Sequence, residues 1–455
     1  MFLGGVIAAL DALTREATLF ASVGFLAGGL DDLAVDLVYF ARAGRIGRDQ
    51  PPAASSARSL AIFLPAWDES AVIRAMLTNA LATFDHDDYR IYVGVYPNDH
   101  ATLAAVAAVA AQDGRVRLTV GARPGPTTKG DNLNTVWRSL LRDEAEGDWR
   151  ADAVVLHDAE DVVDPSELRL FDRLLSTYSL VQLPVLPLIA GDSRWVSAHY
   201  ADEFVEVQAR QMVVRQALGA GLPLAGTGCA IRRDALDRVA AARGGSPFDA
   251  TSLTEDYELG LAVAAAGGRG CFARARDPSG RPIAVRAYFP RTVPSAVRQK
   301  ARWMAGIALI GWDKLGWRGS RHPGELWMRM RDRRGPLSML VLAVGYVAMG
   351  AGAVAAALHV ATAAPVAAGP AWLAPLLAIN SALLVWRLTM RGLATGRAYG
   401  WREGVRAVPR VLVSNFVSLL ATRRAVTLYL KTLRGATPQW DKTAHDFPAD
   451  PAAVR

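Results

Sequence analysis

Carboxylates recur where short apolar runs hand the chain over to loops. Pro65-Ala66-Trp67-Asp68-Glu69-Ser70 follows one such run, Pro97-Asn98-Asp99-His100 a second, and His157-Asp158-Ala159-Glu160-Asp161 a fourth. Asp158 and Glu160 stand two apart, so extended backbone aims both at one face. Two close carboxylates repel unless a cation lies between them. Hard oxygen donors suit Mg²⁺ or Mn²⁺, which take one or two carboxylates together with substrate phosphates. A solvated acidic turn explains an isolated Asp-Ala-Glu-Asp equally well; its place in a series of strand ends favours a site. Between the third and fourth runs lies Thr127-Thr128-Lys129-Gly130-Asp131-Asn132-Leu133-Asn134. A lysine at a helix start suits a phosphate or ribose contact, although a capped surface helix accounts for it too, and the Walker spacing is absent. Further on, Thr254-Glu255-Asp256 opens a helix-like run to Ala265, and Gln299, Arg302 and Trp303 fall at i, i+3, i+4 on one helical face. Tryptophan stacks on the apolar face of a pyranose, while glutamine and arginine bond hydroxyls and phosphate.

The elements that must position these residues alternate. Ser59–Leu64, Ile91–Tyr96, Val116–Val120, Ala153–His157 and Leu180–Val185 read as strands, with helical stretches between them such as Ala101–Ala111. That alternation implies an α/β unit with a mostly parallel, Rossmann-like sheet, which binds ligands beyond the carboxyl ends of its strands. Composition restricts the rest. With 51% hydrophobic and 21% charged residues, the apolar excess sits in blocks and not throughout, and disordered, collagen-like and disulfide-scaffold classes are excluded. The two cysteines, Cys229 and Cys271, make no framework.

Leu337–Val360 and Val366–Trp386 contain no Asp, Glu, Lys or Arg and are long enough to cross a bilayer, forming a hairpin. A first spanning helix is expected over roughly 8–30, continuing into an acidic amphipathic piece around Asp31, Asp32 and Asp36 at the surface. Val411–Thr422, bracketed by Arg410 and Arg423-Arg424, is short and should lie in the interface. Arg42, Arg45 and Arg48, then Arg318, Arg321, Arg329, Arg331, Arg333 and Arg334, and then Arg387, Arg391, Arg397 and Arg402 all flank the same ends of the spans. The positive-inside rule makes that side cytoplasmic. The net charge of +8 is then largely juxtamembrane, suited to anionic lipid headgroups, and nucleic acid is not needed to explain it. The expected organisation is 1–50 first helix and juxtamembrane segment, 51–300 catalytic domain, 301–336 interfacial segment, 337–390 helical hairpin, and 391–455 interface helix and cytoplasmic tail.

In this order, Pro65-Ala-Trp-Asp-Glu69, Asp99, Lys129-x-x-Asn132-x-Asn134, Asp158-x-Glu160, Thr254-Glu255-Asp256 and Gln299-x-x-Arg302-Trp303, followed by spanning helices, the chain resembles the membrane-bound family 2 glycosyltransferases. These include bacterial cellulose and hyaluronan synthases. Gly29–Phe40, His157–Asp161 and Trp440–His445 make it most similar to the inner-membrane phage-adsorption glycosyltransferases, the NfrB-like group. The resemblance implies a GT-A catalytic domain at the bacterial inner membrane, facing the cytoplasm. It further implies inverting transfer from a nucleotide-diphospho sugar, a UDP-sugar, to build a cell-envelope or secreted polysaccharide. On this reading Glu69 and Asp99 hold the nucleoside, Lys129, Asn132 and Asn134 flank ribose and diphosphate, and Asp158 serves both donor and metal. Asp256 is the general base, and Glu255, Gln299, Arg302 and Trp303 seat acceptor and diphosphate. Glu160 replaces the second aspartate of the usual Asp-x-Asp metal motif, which leaves open whether Glu160 or Asp161 touches Mg²⁺ or Mn²⁺. The implied partners are the nucleotide-sugar donor, a polysaccharide or lipid-linked acceptor, membrane lipids and an outer-membrane export partner. A cyclic-dinucleotide-sensing domain, frequent in the group, is expected to be absent. Single-sugar transfer to a polyprenyl phosphate, or an inactive receptor or scaffold for phage, are the competing readings.

Overall fold

Every residue of Leu60–Pro65 is buried, as a strand covered on both faces requires. In the computed structural model, which describes residues 2–42, 57–317, 322–366, 369–436 and 445–454, this strand (β1) is the pivot of the α/β sheet. It is followed by α2 (Ile73–Thr83), β2 (Tyr89–Val95), α3 (His100–Ala110), β3 (Val116–Val120), α4 (Lys129–Glu146), β4 (Ala153–Leu156) and α5 (Glu167–Leu174). β1 pairs in parallel with β2 on one side and β4 on the other, and β2 pairs in parallel with β3. The chain therefore reverses its direction of winding between β1 and β4. Such a switch point opens a crevice at the carboxyl ends of the two strands, and Glu69 and Asp158 follow those ends.

Beyond β4 come β5 (Leu180–Gln182), β6 (Val185–Leu188), α6 (Val196–Glu206), a π-helical turn, α7 (Met212–Ala217), β7 (Cys229–Arg232), α8 (Arg233–Ala242), α9 (Glu255–Ala265), β8 (Gly270–Phe272) and β9 (Val285–Tyr288). The main sheet has the order β3-β2-β1-β4-β7-β5-β8, and β6 with β9 forms a second, two-stranded sheet. β7 runs antiparallel to both β4 and β5. It was not among the expected strands, because four residues bounded by glycine and arginine carry no periodic signal. α4 buries Leu133, Val136, Trp137 and Leu140, at i, i+3, i+4, i+7, against the sheet. Its first turn is capped by the Thr128 hydroxyl, which accepts from Asp131 N at 3.1 Å.

The remaining helices are α10 (Val293–Met304), which a π-helical turn joins to α11 (Gly311–Leu315), then α12 (Pro323–Arg333), α13 (Gly335–Thr362), α14 (Leu373–Tyr399) and α15 (Trp401–Leu433). At the N-terminus, α1 runs unbroken over Phe2–Arg42, longer than the expected 8–30. α1, α13, α14 and α15 are each long and apolar enough to cross a membrane. α1 lies against α13, where Val341 meets Gly24 and Phe25 meets Gly345.

Two expectations change. The acidic piece of α1 is not a free surface strip. Asp32 pairs with Arg331 at 2.9 Å, Arg334 at 2.5 Å and Arg387 at 2.6 Å; Asp31 pairs with Arg331 and Arg334; buried Asp36 pairs with Arg210 at 2.6 Å. The indole N–H groups of Trp327 and Trp386 donate to Asp31 and Asp36 at 2.6 and 2.8 Å. Several juxtamembrane arginines thus neutralise carboxylates of α1 in place of lipid. In addition, the short interface segment at Val411–Thr422 is the middle of α15, a 33-residue helix. Arg45, Arg48, Arg318, Arg321 and Trp440–Ala444 lie outside the described residues.

Candidate active site

One cleft at the β1/β4 switch point is lined by Glu69, Lys129, Asp158, Glu160, Asp161, Glu255, Asp256, Gln299, Arg302 and Trp303. Residues separated by more than two hundred positions in the sequence share it. The Lys129 ammonium, at the first turn of α4, donates to Asp158 Oδ1 at 2.5 Å and to the Gly226 carbonyl at 3.3 Å. Burial alone would lower its pKa, but the charges of Asp158, Glu255 and Asp256 around it override this and hold it above the usual lysine value. Gly226 sits at φ +78, and a Cβ there would stand 2.5 Å from Asp256 Oδ2 and 3.1 Å from Lys129 Nζ. Only glycine accepts both the backbone geometry and that approach. Asp256 opens α9; burial pushes its carboxyl above the ordinary range, and that of Glu255 up to about 7. A carboxylate raised in this way is a better proton acceptor near neutrality than a solvated one.

Asp158, Glu160 and Asp161 all line the cleft, but Asp161 Oδ2 is already engaged by the residues around it. Asp161 Oδ2 accepts from Asp158 N at 2.9 Å and from the Thr227 hydroxyl, and lies 2.8 Å from His157 Nδ1. The other imidazole nitrogen lies 2.7 Å from Glu167 Oε1. His157 is wholly buried between these two buried carboxylates. Burial alone would lower its pKa; the charge of Glu167 and the hydrogen bonds to Asp161 and Glu167 instead raise it to about 10, so it is an imidazolium at neutral pH.

Three of the expected nucleotide ligands do not reach the cleft lining. Asp99 caps α3, accepting from Thr102 N at 3.2 Å, and from Asp68 N at 2.5 Å; it holds the loop that carries Glu69. Asn132 donates to the Gly94 carbonyl at 3.1 Å. Asn134 donates to Phe248 O at 2.8 Å and accepts from Phe248 N at 3.1 Å. Both asparagines fasten α4 to neighbouring backbone. The spacing Lys-x-x-Asn-x-Asn described one helix start, but three and five residues on from Lys129 a helix has turned those side chains inward.

His445 was not anticipated as a site residue. Its Nδ1 lies 2.9 Å from Glu69 Oε1 and 3.2 Å from Glu160 Oε2. The three ligand atoms fall within 4.8 Å of one another, close enough to share a metal ion. The neighbouring Asp446 pairs with Arg291 at 3.3 Å, and Phe447 packs on the main core. Burial raises the Glu160 carboxyl to about 8 against the opposing influence of His445. On the opposite wall, Trp303 joins Phe204, Phe289 and Tyr200, with ring centroids 5.9, 6.3 and 6.0 Å from it. These aromatic partners come from α6 and the loop after β9, which spacing around Trp303 does not reveal.

Comparison with known proteins identifies the family and the fold. The glycosyltransferase-like family 2 profile matches residues 57–306. The chain is 35% identical over 479 aligned positions to Bacteriophage adsorption protein B of Escherichia coli K12, covering 96% of this chain and 62% of that protein. It matches Bacteriophage N4 adsorption protein B of E. coli O157:H7 to the same extent, so it spans about 62% of the length of these relatives. Among solved structures, a mannosyltransferase from Pyrobaculum calidifontis in complex with GDP-Man and Mn²⁺ superposes with a TM-score of 0.54 at 18% identity, covering 89% of this chain and 99% of that one; the likeness extends to the fold. The match over the catalytic domain and the identity along nearly the whole chain make this protein a member of glycosyltransferase family 2.

Proposed function

We propose that the protein transfers a sugar, with inversion, from a nucleotide-diphospho sugar to a growing cell-envelope or secreted polysaccharide at the cytoplasmic face of the bacterial inner membrane. The observation that carries this reading is the convergence of Lys129, Asp158, Glu160, Asp256 and Arg302 on one cleft. The acceptor hydroxyl attacks the anomeric carbon as the bond from that carbon to the diphosphate oxygen breaks. Asp256 takes the hydroxyl proton, and Lys129 and Arg302 face the negative charge that leaves. Trp303 and its aromatic neighbours stack the acceptor sugar. Glu69, Glu160 and His445, with Asp158 lining the same cleft, supply oxygen and imidazole donors that fit Mn²⁺ at least as well as Mg²⁺. A divalent ion held by these residues would supply positive charge to offset that on the departing diphosphate. The relatives named for phage adsorption fit an envelope polysaccharide that meets the outside of the cell, with an outer-membrane partner for its export.

Asp256→Asn is the test. Loss of a general base costs ~10²–10⁴-fold in rate. Purified protein with Mn²⁺ is presented with UDP-linked and GDP-linked sugars, with nucleoside diphosphate release and donor binding measured separately. The variant is expected to lose turnover and keep donor affinity, and the wild-type product to carry the opposite anomeric configuration to the donor. Undiminished turnover in Asp256→Asn, or no release from any donor by the wild type, defeats the proposal.

A further inference from the structure

Gln182, the last residue of β5, is 2% exposed, and both polar atoms of its amide are committed. Its Oε1 accepts from Ala225 N at 2.9 Å. Its Nε2 donates to Leu183 O and Thr227 O, each at 2.9 Å, and lies 3.2 Å from Gly228 O. Closing a strand does not call for an amide. β1 ends on Pro65 and β4 on Leu156, both apolar, and an amide taken out of water is costly unless its bonds are made. Three of the four contacts instead go to one loop, Ala225–Gly228, which leads into the strand β7 that pairs with β5.

That loop needs an anchor. Gly226 and Gly228 both have positive φ, +78 and +57, and glycine has the widest conformational freedom of any residue. The loop must nevertheless be placed closely, because its two central residues reach the charged groups of the cleft. The Gly226 carbonyl accepts from the Lys129 ammonium at 3.3 Å, and the same ammonium donates to Asp158 at 2.5 Å. The Thr227 hydroxyl donates to Asp161, the carboxylate that takes the Asp158 N–H at 2.9 Å. An ammonium has three N–H donors. Once Asp158 and Gly226 hold two of them, the direction of the third is set, and Lys129 lines the cleft. Gln182 is not among the residues lining it, so its influence there passes through the loop.

We infer that Gln182 is a positioning residue for sugar transfer: its amide fixes the Ala225–Gly228 loop so that the Lys129 ammonium is aimed at the departing diphosphate. Lys129 carries the charge, and Gln182 decides where that charge points. The inference rests on the sugar-transfer reading for the reaction it serves, whereas the aim of Lys129 at a diphosphate can be measured without turnover. Misplacing a reacting or stabilising group by about 1 Å can cost ~10²-fold in rate.

The test is a double-mutant cycle in the full chain. Gln182→Met keeps the length of the side chain and removes all four contacts. Gln182→Glu keeps its shape and the acceptor for Ala225 N, but turns an oxygen towards the carbonyls of Leu183, Thr227 and Gly228. Each is made alone and together with Lys129→Met. Affinity for UDP and GDP with Mn²⁺ is measured by calorimetry, alongside kcat and KM for nucleoside diphosphate release. A nucleoside diphosphate is the group that leaves, so its affinity reports the Lys129 charge even where no transfer occurs. In both single Gln182 variants kcat is expected to fall by roughly 10²-fold, and nucleoside diphosphate affinity to fall with it. Neither should fall further when a Gln182 substitution is added to Lys129→Met, because the two residues act as a unit. Additive losses in the double variants would make Gln182 a structural residue and overturn the inference. Unchanged kcat and affinity in either folded single variant, or failure of both to fold, would overturn it too. A wild type that shows the binding cycle but transfers no sugar would defeat the transferase reading and leave the positioning of Lys129 standing; one that binds neither nucleotide loses both.

Discussion

Replacing His157 by glutamine removes a buried cation held between two buried carboxylates. In the native protein its ring nitrogens lie 2.8 Å from Asp161 and 2.7 Å from Glu167, and none of the three side chains is more than 1% exposed. Glutamine is neutral and can direct its amide at one carboxylate only, so at least one buried charge loses its partner. Breaking a buried pair from one side costs ~3–5 kcal/mol, on the order of a 10 °C fall in melting midpoint for a domain of about this size. Asp161 also receives the Asp158 N–H at 2.9 Å, so the loop presenting Asp158 and Glu160 should loosen with it. Outer-shell losses of this kind weaken metal affinity by ~10–100-fold. Thermal unfolding in detergent and a Mn²⁺ titration of the folded variant measure the two effects independently. The sign of the pH dependence follows from the raised pKa. Unfolded histidine titrates near 6.5 and folded His157 near 10. Its stabilisation is complete below pH 6.5 and is lost as pH rises towards 10, by up to ~1.4 kcal/mol per pH unit. A His157→Gln protein that melts like the wild type and binds Mn²⁺ equally well would refute this account of the loop.

Glu160→Gln and His445→Gln should each weaken Mn²⁺ binding, read by calorimetry, whereas a strictly structural role for His445 predicts no change in affinity while the fold persists. Gly404→Val should destabilise the contact of α14 with α15, since a Cβ at Gly404 would stand 2.6 Å from Gly392 O and 2.9 Å from Gly396 Cα; overpacking costs ~1–3 kcal/mol. Gly350→Val, where a Cβ meets nothing within 4 Å, is the control, and equal melting of the two variants would contradict the packing. Cys229 and Cys271 are buried, and burial raises both thiols, that of Cys271 to about 11. Neither should react with a soluble disulfide reagent until the protein is unfolded; rapid modification of the native protein would contradict that burial.

How far the site could be read from sequence depended on whether a signal was local. Carboxylates after β1 and β4 were legible because strand ends and acidic residues coincide within a few positions, and the switch point of the sheet brings those ends together. Gln299, Arg302 and Trp303 were legible because one helix face unites them. Asn132 and Asn134 looked like ligands by type, but their amides bind Gly94 and Phe248 backbone, a choice made by packing. His445 meets Glu69 across 376 positions, and no spacing rule spans that distance. The acidic stretch of α1 was visible, but its arginine partners come from α12, α14 and the turn before α7, so its burial was not. β7 escaped notice because a four-residue antiparallel strand is stabilised by its neighbours, β4 and β5, and not by its own composition.

The position of His445 also imposes an order on biosynthesis. Translation delivers the catalytic domain first, then the apolar hairpin, then α15, and only afterwards the imidazole that meets Glu69 and Glu160. A nascent chain whose later helices have not yet left the ribosome holds an incomplete cleft. Sugar transfer would then begin only after delivery to the bilayer, sparing the cell's activated sugars from consumption by unfinished polypeptides.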